Sequence, residues 1–169
     1  VTVDGKDVTV ASIYLPNGNP PLNAPDDTQK FLYKLQWMDA LYQQAQALLQ
    51  SGKRIVLGGD FNTILTDNDV YDPEEFRNNA LFRPEVRRRF EALKFLGYTD
   101  AFRTLYPLKN GYSFWDYTSA ALQLDKGMRI DYFLLSPLAA DELTDCFVDK
   151  EPRKMDKPSD HTPLVAQFK

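Results

Sequence analysis

The sequence predicts a mixed α/β domain. Three observations carry this: β-branched runs near the N-terminus, two long segments with apolar residues at three- and four-residue steps, and a return to strand texture from Tyr112 onward. The 169 residues fit one domain spanning 1–169, and 43% hydrophobic with 26% charged residues is the balance of a folding chain with a sizeable core.

Val1-Thr2-Val3 and Val8-Thr9-Val10 flank Asp4-Gly5-Lys6-Asp7, a β-branched pair about a turn signal that predicts a hairpin whose second arm runs to Tyr14. Pro16, Asn17, Gly18, Pro20, Pro21 and Pro25 follow. So many prolines remove backbone donors and fix φ, which predicts an irregular loop. Asp27 or Thr28 then caps a long helix. Its apolar face is Phe31, Leu35, Met38, Tyr42, Ala45 and Leu49, with Gly52 as terminator and Lys34 on the exposed flank.

Arg54 to Gly58 forms a short apolar strand that ends in Gly59-Asp60-Phe61-Asn62, placing polar groups where the strand leaves the core. Pro84 opens a second helix with Val86, Phe90, Leu93 and Leu96 on one face, and a short helix through Ala101, Phe102 and Leu105 follows. Further strands are expected over Tyr112–Tyr117, Arg129–Leu135, Asp145–Asp149 and Thr162–Phe168.

Composition excludes several functions. Twenty Lys plus Arg against 24 Asp plus Glu leave a net charge of −4, which argues against a non-specific nucleic-acid coat while permitting a local basic groove. The runs Arg87 to Arg89 and Lys150, Arg153, Lys154 and Lys157 read equally as solvated faces. One cysteine and one histidine cannot build a disulfide or a thiolate or multi-imidazole zinc site, so any metal must be held by oxygen. No apolar run approaches a membrane span, and the first residues have no signal-peptide character. The expectation is a soluble, cytoplasmic protein without membrane partners.

Asp131 sits between Ile130 and Tyr132 in an apolar strand, where an unpaired carboxylate is costly. Its partner could be Arg129, a strand-end donor, or His161, the lone histidine, which follows Asp160 at the mouth of the last strand. A carboxylate bonded to an imidazole fixes the ring tautomer and frees the other nitrogen for substrate. Asp60 and Asn62, one residue apart, point the same way on an extended segment, so a proton-accepting carboxylate and a donating amide could share one substrate. That division of labour suits phosphoester hydrolysis; a tight Gly-Gly-Asp turn is the structural alternative.

Five motifs in order then resemble the exonuclease III and apurinic-apyrimidinic endonuclease branch of the endonuclease/exonuclease/phosphatase superfamily. They are Ile13 to Gly18, Gly58 to Asn62, Phe114 to Tyr117, Arg129 to Leu135 and Ser159 to Pro163. The resemblance implies the C-terminal two-thirds of a four-layered, DNase I-like α/β sandwich, a mixed sheet with flanking helices. It implies a magnesium-dependent phosphodiesterase, with manganese as a substitute, that digests duplex DNA from 3′ ends and incises abasic sites in base-excision repair. Asp60 would activate water, Asn62 bind the scissile phosphate and Tyr14 contact that phosphate or the leaving group. Asp131 would orient His161, and Asp60, Asn62, Asp160 and His161 would form the metal shell. Phe114, Trp115 and Met128 fall where the branch packs a flipped-out abasic sugar, or are plain core; Lys34 would be a DNA backbone contact.

The family pattern opens with a strand bearing an asparagine and another bearing a metal-binding glutamate, and neither has a counterpart here. The expectation is an N-terminally incomplete domain, monomeric when complete, that exposes apolar surface and holds metal weakly. The rival reading keeps the same fold as a non-catalytic nucleic-acid-binding or interaction domain, and a third assigns a non-DNA phosphoester substrate.

Overall fold

The computed structural model describes every residue except Val1, Lys6, Pro21, Leu22 and Asp26. Strand β1 (Thr2–Asp4) pairs antiparallel with β2 (Val8–Tyr14), Val3 opposite Val10, so the predicted hairpin forms, with Val1, Lys6 and Pro21 outside the described residues. Helix α1 (Gln29–Leu49) follows the proline-rich loop. Thr28 holds the capping position without a side-chain bond; the Asp27 carboxylate accepts from the Gln29 amide instead, 2.9 Å away.

β3 (Arg54–Asp60) runs parallel to β2, as the intervening helix allows. A 3-10 turn (Asp67–Asp69), the short helix α2 (Pro73–Phe76) and helix α3 (Pro84–Phe95) come next. β4 (Thr99–Asp100), α4 (Ala101–Leu105), β5 (Asp131–Leu135), α5 (Pro137–Ala140), β6 (Leu143–Val148) and β7 (Leu164–Phe168) complete the order. The main sheet is mixed, β1-β2-β3-β5-β4, and β6 and β7 form a separate antiparallel pair.

Alternation along the strands gives the sheet two faces. Thr9, Ala11, Ile55, Leu57, Tyr132 and Leu134 point toward α1 and α3, and there the largest core gathers around Phe61, Phe90 and Tyr132. These rings lie 4.6–5.7 Å apart in tilted and edge-on pairs, a geometry that adds roughly 0.5–1.5 kcal/mol per pair beyond simple burial. On the opposite face Val56 and Leu135 meet Phe102, Ala139 and Cys146, so α4, α5 and the β6–β7 pair cover one end. The rest is open. Val8 and Val10 remain 40% and 43% exposed in a groove shared with Phe133, Ala166 and Phe168, the uncovered apolar surface that the sequence led us to expect.

Several expectations need correction. Tyr112–Tyr117 is not a strand: Phe114 alone makes single bridges to Met128 and His161, because its neighbours turn into a loop cluster with Trp115 at its centre. Trp115 is wholly buried, so it is core and not a cleft wall. Arg129 does not pair with Asp131; it reaches Asp69 and Asp100. Lys34 is not on an exposed flank, since α1 is rolled so that its buried face is Phe31, Lys34, Met38, Leu41 and Ala45. Among the described residues no helix is long and apolar enough to cross a membrane.

Candidate active site

Three neighbouring strands deliver three polar side chains in one row. Tyr14 is in register with Asp60 across β2 and β3, and Asp60 with Asp131 across β3 and β5. Residues paired in register point to the same face, so the phenol and the two carboxylates stand side by side at one end of the sheet. Their chain neighbours anchor the row from the other face. Phe61 and Tyr132 are fully buried, and the Tyr132 hydroxyl lies 2.8 Å from the Thr63 carbonyl and 3.0 Å from that of Arg129.

The glycines before Asp60 are dictated by close approach. A side chain at Gly59, where φ is +138°, would come within 2.1 Å of the Ile13 carbonyl oxygen, and one at Gly58 would strike the Phe133 ring. Beyond the strand the chain turns: Asn62 has φ 43°, a left-handed conformation. Asp60 and Asn62 therefore meet by a turn and not by strand alternation, contrary to the extended geometry expected. The Asn62 amide nitrogen donates to Asp60 Oδ1 and its Nδ2 to Asp60 Oδ2, each at 2.8 Å, while Nδ2 also reaches the Leu15 carbonyl at 2.9 Å.

His161 comes from the segment before β7. Its Nδ1 lies 2.9 Å from Asp131 Oδ2, which also accepts from Ser113 Oγ at 2.6 Å. The ring packs edge-on against Phe114, with centroids 5.1 Å apart. This bond holds the imidazole above its ordinary value of 6.5, with burial opposing. Burial pushes Asp60 up to about 6, aided by Asp131 and opposed by the Asn62 amide, His161 and Lys34. Asp131 is tied to the ring, while Asp60, though held by Asn62, keeps lone pairs that can accept from water near neutral pH.

The profile of the endonuclease/exonuclease/phosphatase family matches residues 2–161. The chain belongs to that family. It is similar to the exodeoxyribonuclease of Bacillus subtilis (strain 168), 32% identical over 165 residues that make up 97% of this chain and 61% of that protein. It is also similar to the DNA repair nuclease APEX1 of Danio rerio, 33% identical over 98% of this chain and 50% of that one. Among solved structures, a 3′ phosphatase, NExo, from Neisseria bound to a product DNA hairpin superposes with a TM-score of 0.92 at 36% identity, covering 99% of this chain and 63% of that one. An AP endonuclease from Archaeoglobus fulgidus gives 0.88 at 34% identity, covering 95% and 61%. The chain thus has the fold of the exonuclease III and AP endonuclease branch, and spans less than two-thirds of the length of these relatives.

Within this family member the row is joined to a cavity of about 440 Å³ lined by Asn17, Tyr71, Asn79, Phe114, Lys126 and Met128, among others. Asn17 links cavity to row through its Nδ2, 3.3 Å from Asn62 Oδ1. Phe114 and Met128 are partly buried there, whereas Trp115 lies behind them with its Nε1 donating to Asp125.

Of the expected metal shell, Asp60 and Asp160 both act electrostatically on His161. Among the described residues no three His, Cys, Asp or Glu side chains are arranged to hold an ion. Both Asp60 oxygens are engaged by Asn62, and Asp131 Oδ2 is shared by Ser113 and His161. Asp160 places its main-chain carbonyl on the Trp115 amide, and its Oδ1 is 3.4 Å from Ser159 Oγ. The residues described here do not by themselves fit a metal cage.

Sequence reasoning missed Ser113, whose hydroxyl in an aromatic run was the available signal, and it misplaced Lys34. A lysine three residues after Phe31 and four before Met38 lies on their stripe, and helical spacing alone put it on the buried face.

Proposed function

We propose that this chain carries the water-activating half of a DNA-repair phosphodiesterase, acting on duplex DNA at abasic sites or 3′ ends. The observation that supports this best is the row of Tyr14, Asp60 and Asp131 with His161 keyed to Asp131. Asp60, near pH 6 in its proton affinity, accepts a proton from the attacking water. Asn62, bonded to both oxygens of Asp60, keeps that carboxylate aimed. His161, protonated on the nitrogen away from Asp131, donates to the charge that builds on the phosphorane oxygens. Tyr14, 75% exposed, is free to contact the phosphate or the leaving group. Phe114 and Met128 supply the apolar wall for a sugar drawn out of the helix, a role that Trp115 cannot take.

Dependence of the complete protein on magnesium or manganese is part of this proposal. It draws support from family membership. The second reading is a non-catalytic nucleic-acid-binding domain of the same fold.

Cleavage of a duplex bearing one abasic site, measured with and without magnesium for the complete protein and its Asp60→Asn variant, separates the two. We expect magnesium-dependent incision lost in the variant. Binding of the duplex without incision by the complete protein overturns the enzymatic reading.

A further inference from the structure

We infer that Lys34 is a positioning residue, whose buried ammonium ties the loop at Asn17 to the turn at Asn62 and thereby keeps the Asn62 amide aimed at Asp60. Lysine is rarely fully buried without compensation, because removing an ammonium from water is costly. Lys34 is 0% exposed; burial pulls its amine down to about 7, with Asp60 opposing, and among the described residues no carboxylate lies within salt-bridge distance of it. Its Nζ instead donates to two main-chain carbonyls, that of Asn17 at 2.9 Å and that of Asn62 at 2.5 Å. These belong to the two loops that meet at the candidate site.

The rest of the side chain is built in as firmly. A Cβ at Gly18, where φ is +87°, would lie 2.6 Å from Lys34 Cδ and 3.2 Å from its Cβ, so the loop rests directly on the lysine stem. The Asn62 end needs such a tie. Its left-handed backbone is held only where surrounding bonds over-determine it. Four contacts converge on this residue: from its own amide and Nδ2 to Asp60, from Nδ2 to Leu15, and from Asn17 Nδ2 to Oδ1. The Lys34 ammonium fixes the one remaining polar group, the Asn62 carbonyl, and so sets the orientation of the peptide that follows the site. A compact amine with several donors can serve two carbonyls that approach from different loops; a thioether can donate to neither, and a planar guanidinium offers its donors in a fixed fork and not to two independent directions.

The inference rests on the proposed site, and its test separates the two. In the complete protein that contains this chain, Lys34→Met, Lys34→Arg and the core control Met38→Ala are compared. Met38 lies on the same buried helix face, within the apolar core. Three quantities are read: the 15N chemical shift of the Asn62 side-chain amide, the melting temperature, and kcat and KM for abasic-duplex cleavage. We expect Lys34→Met to shift the Asn62 signal and lower kcat on the order of 10–100-fold, with KM changed less than about threefold. Lys34→Arg should do both to a smaller degree, and Met38→Ala should lower the melting temperature while leaving signal and kcat in place. An Asn62 signal unmoved in Lys34→Met, despite lost stability, overturns the inference. Should that variant not fold, an unmoved signal in Lys34→Arg overturns it equally. A shifted signal in a wild-type background that does not cleave DNA upholds the positioning role and overturns the proposed function instead.

Discussion

Asp60 and Asp131 stand directly opposite each other across β3 and β5, two carboxylates on one face of the sheet. Like charges so paired are destabilising, and each is offset by its own device. Asp60 takes two bonds from Asn62, and Asp131 takes one each from Ser113 and His161. The pairing differentiates two chemically identical groups.

Replacing Asp60 with Asn removes the proton acceptor and leaves one oxygen where Asn62 now finds two, so only one of its two bonds is kept. Incision of abasic DNA by the complete protein should fall by a factor on the order of 10²–10⁴. A single-turnover assay checks this. A loss smaller than about tenfold would assign water activation to another group.

His161 is the one histidine, so its imidazole gives a single titration curve by NMR. The curve should lie above 6.5 because of the bond to Asp131, and Asp131→Asn should move it downward. A raised folded value means that the folded state binds the extra proton more tightly than the unfolded chain. This contribution to stability is fully present below about pH 6.5 and is lost as pH rises through the folded value. The urea midpoint of wild type relative to His161→Gln should therefore decline across that interval. A flat or rising difference contradicts the ion-pair assignment.

Arg129 is 0% exposed and joins Asp69, at 2.6 Å, to Asp100, at 2.8 Å, while Arg103 also pairs with Asp69. The cluster clamps the turn at Asp67–Asp69 and the start of α4 to the residue two before Asp131. Arg129→Met leaves buried carboxylates short of a partner and should cost about 3–5 kcal/mol, the usual price of breaking a buried pair. At roughly 2–4 °C per kcal/mol for a chain of this size, the melting temperature should fall by about 10 °C. A calorimetric scan decides, and a stable variant would show that the carboxylates are relieved by protonation or water.

The open apolar face predicts behaviour in solution. Val8, Val10 and Phe168 are each at least 39% exposed around one groove, so this chain by itself should bind an apolar dye such as ANS. Val8→Lys with Val10→Lys should abolish most of that signal while changing stability by no more than about 1 kcal/mol. Unchanged dye binding would place the apolar surface elsewhere.

Much of this was legible in the sequence because it is local. The hairpin about Asp4 to Asp7, helix α1 before Gly52 and helix α3 after Pro84 follow from β-branching, turn residues and helical spacing, which act over a few residues. The motif residues Asp60, Asn62, Asp131 and His161 could be named, since polar groups at strand ends in apolar surroundings announce themselves. Tertiary structure alone decided which of them meet. Tyr14, Asp60 and Asp131 form a row only because β2, β3 and β5 are neighbours in this register, and pairing order is not written in any one strand. The left-handed turn at Asn62 aims its amide back at Asp60 because the Leu15 carbonyl and the Lys34 ammonium close around it. Trp115 became core, and Lys34 went inside, for one reason: burial is settled by what packs on a side chain from distant segments, and residue type sets only the cost of being there.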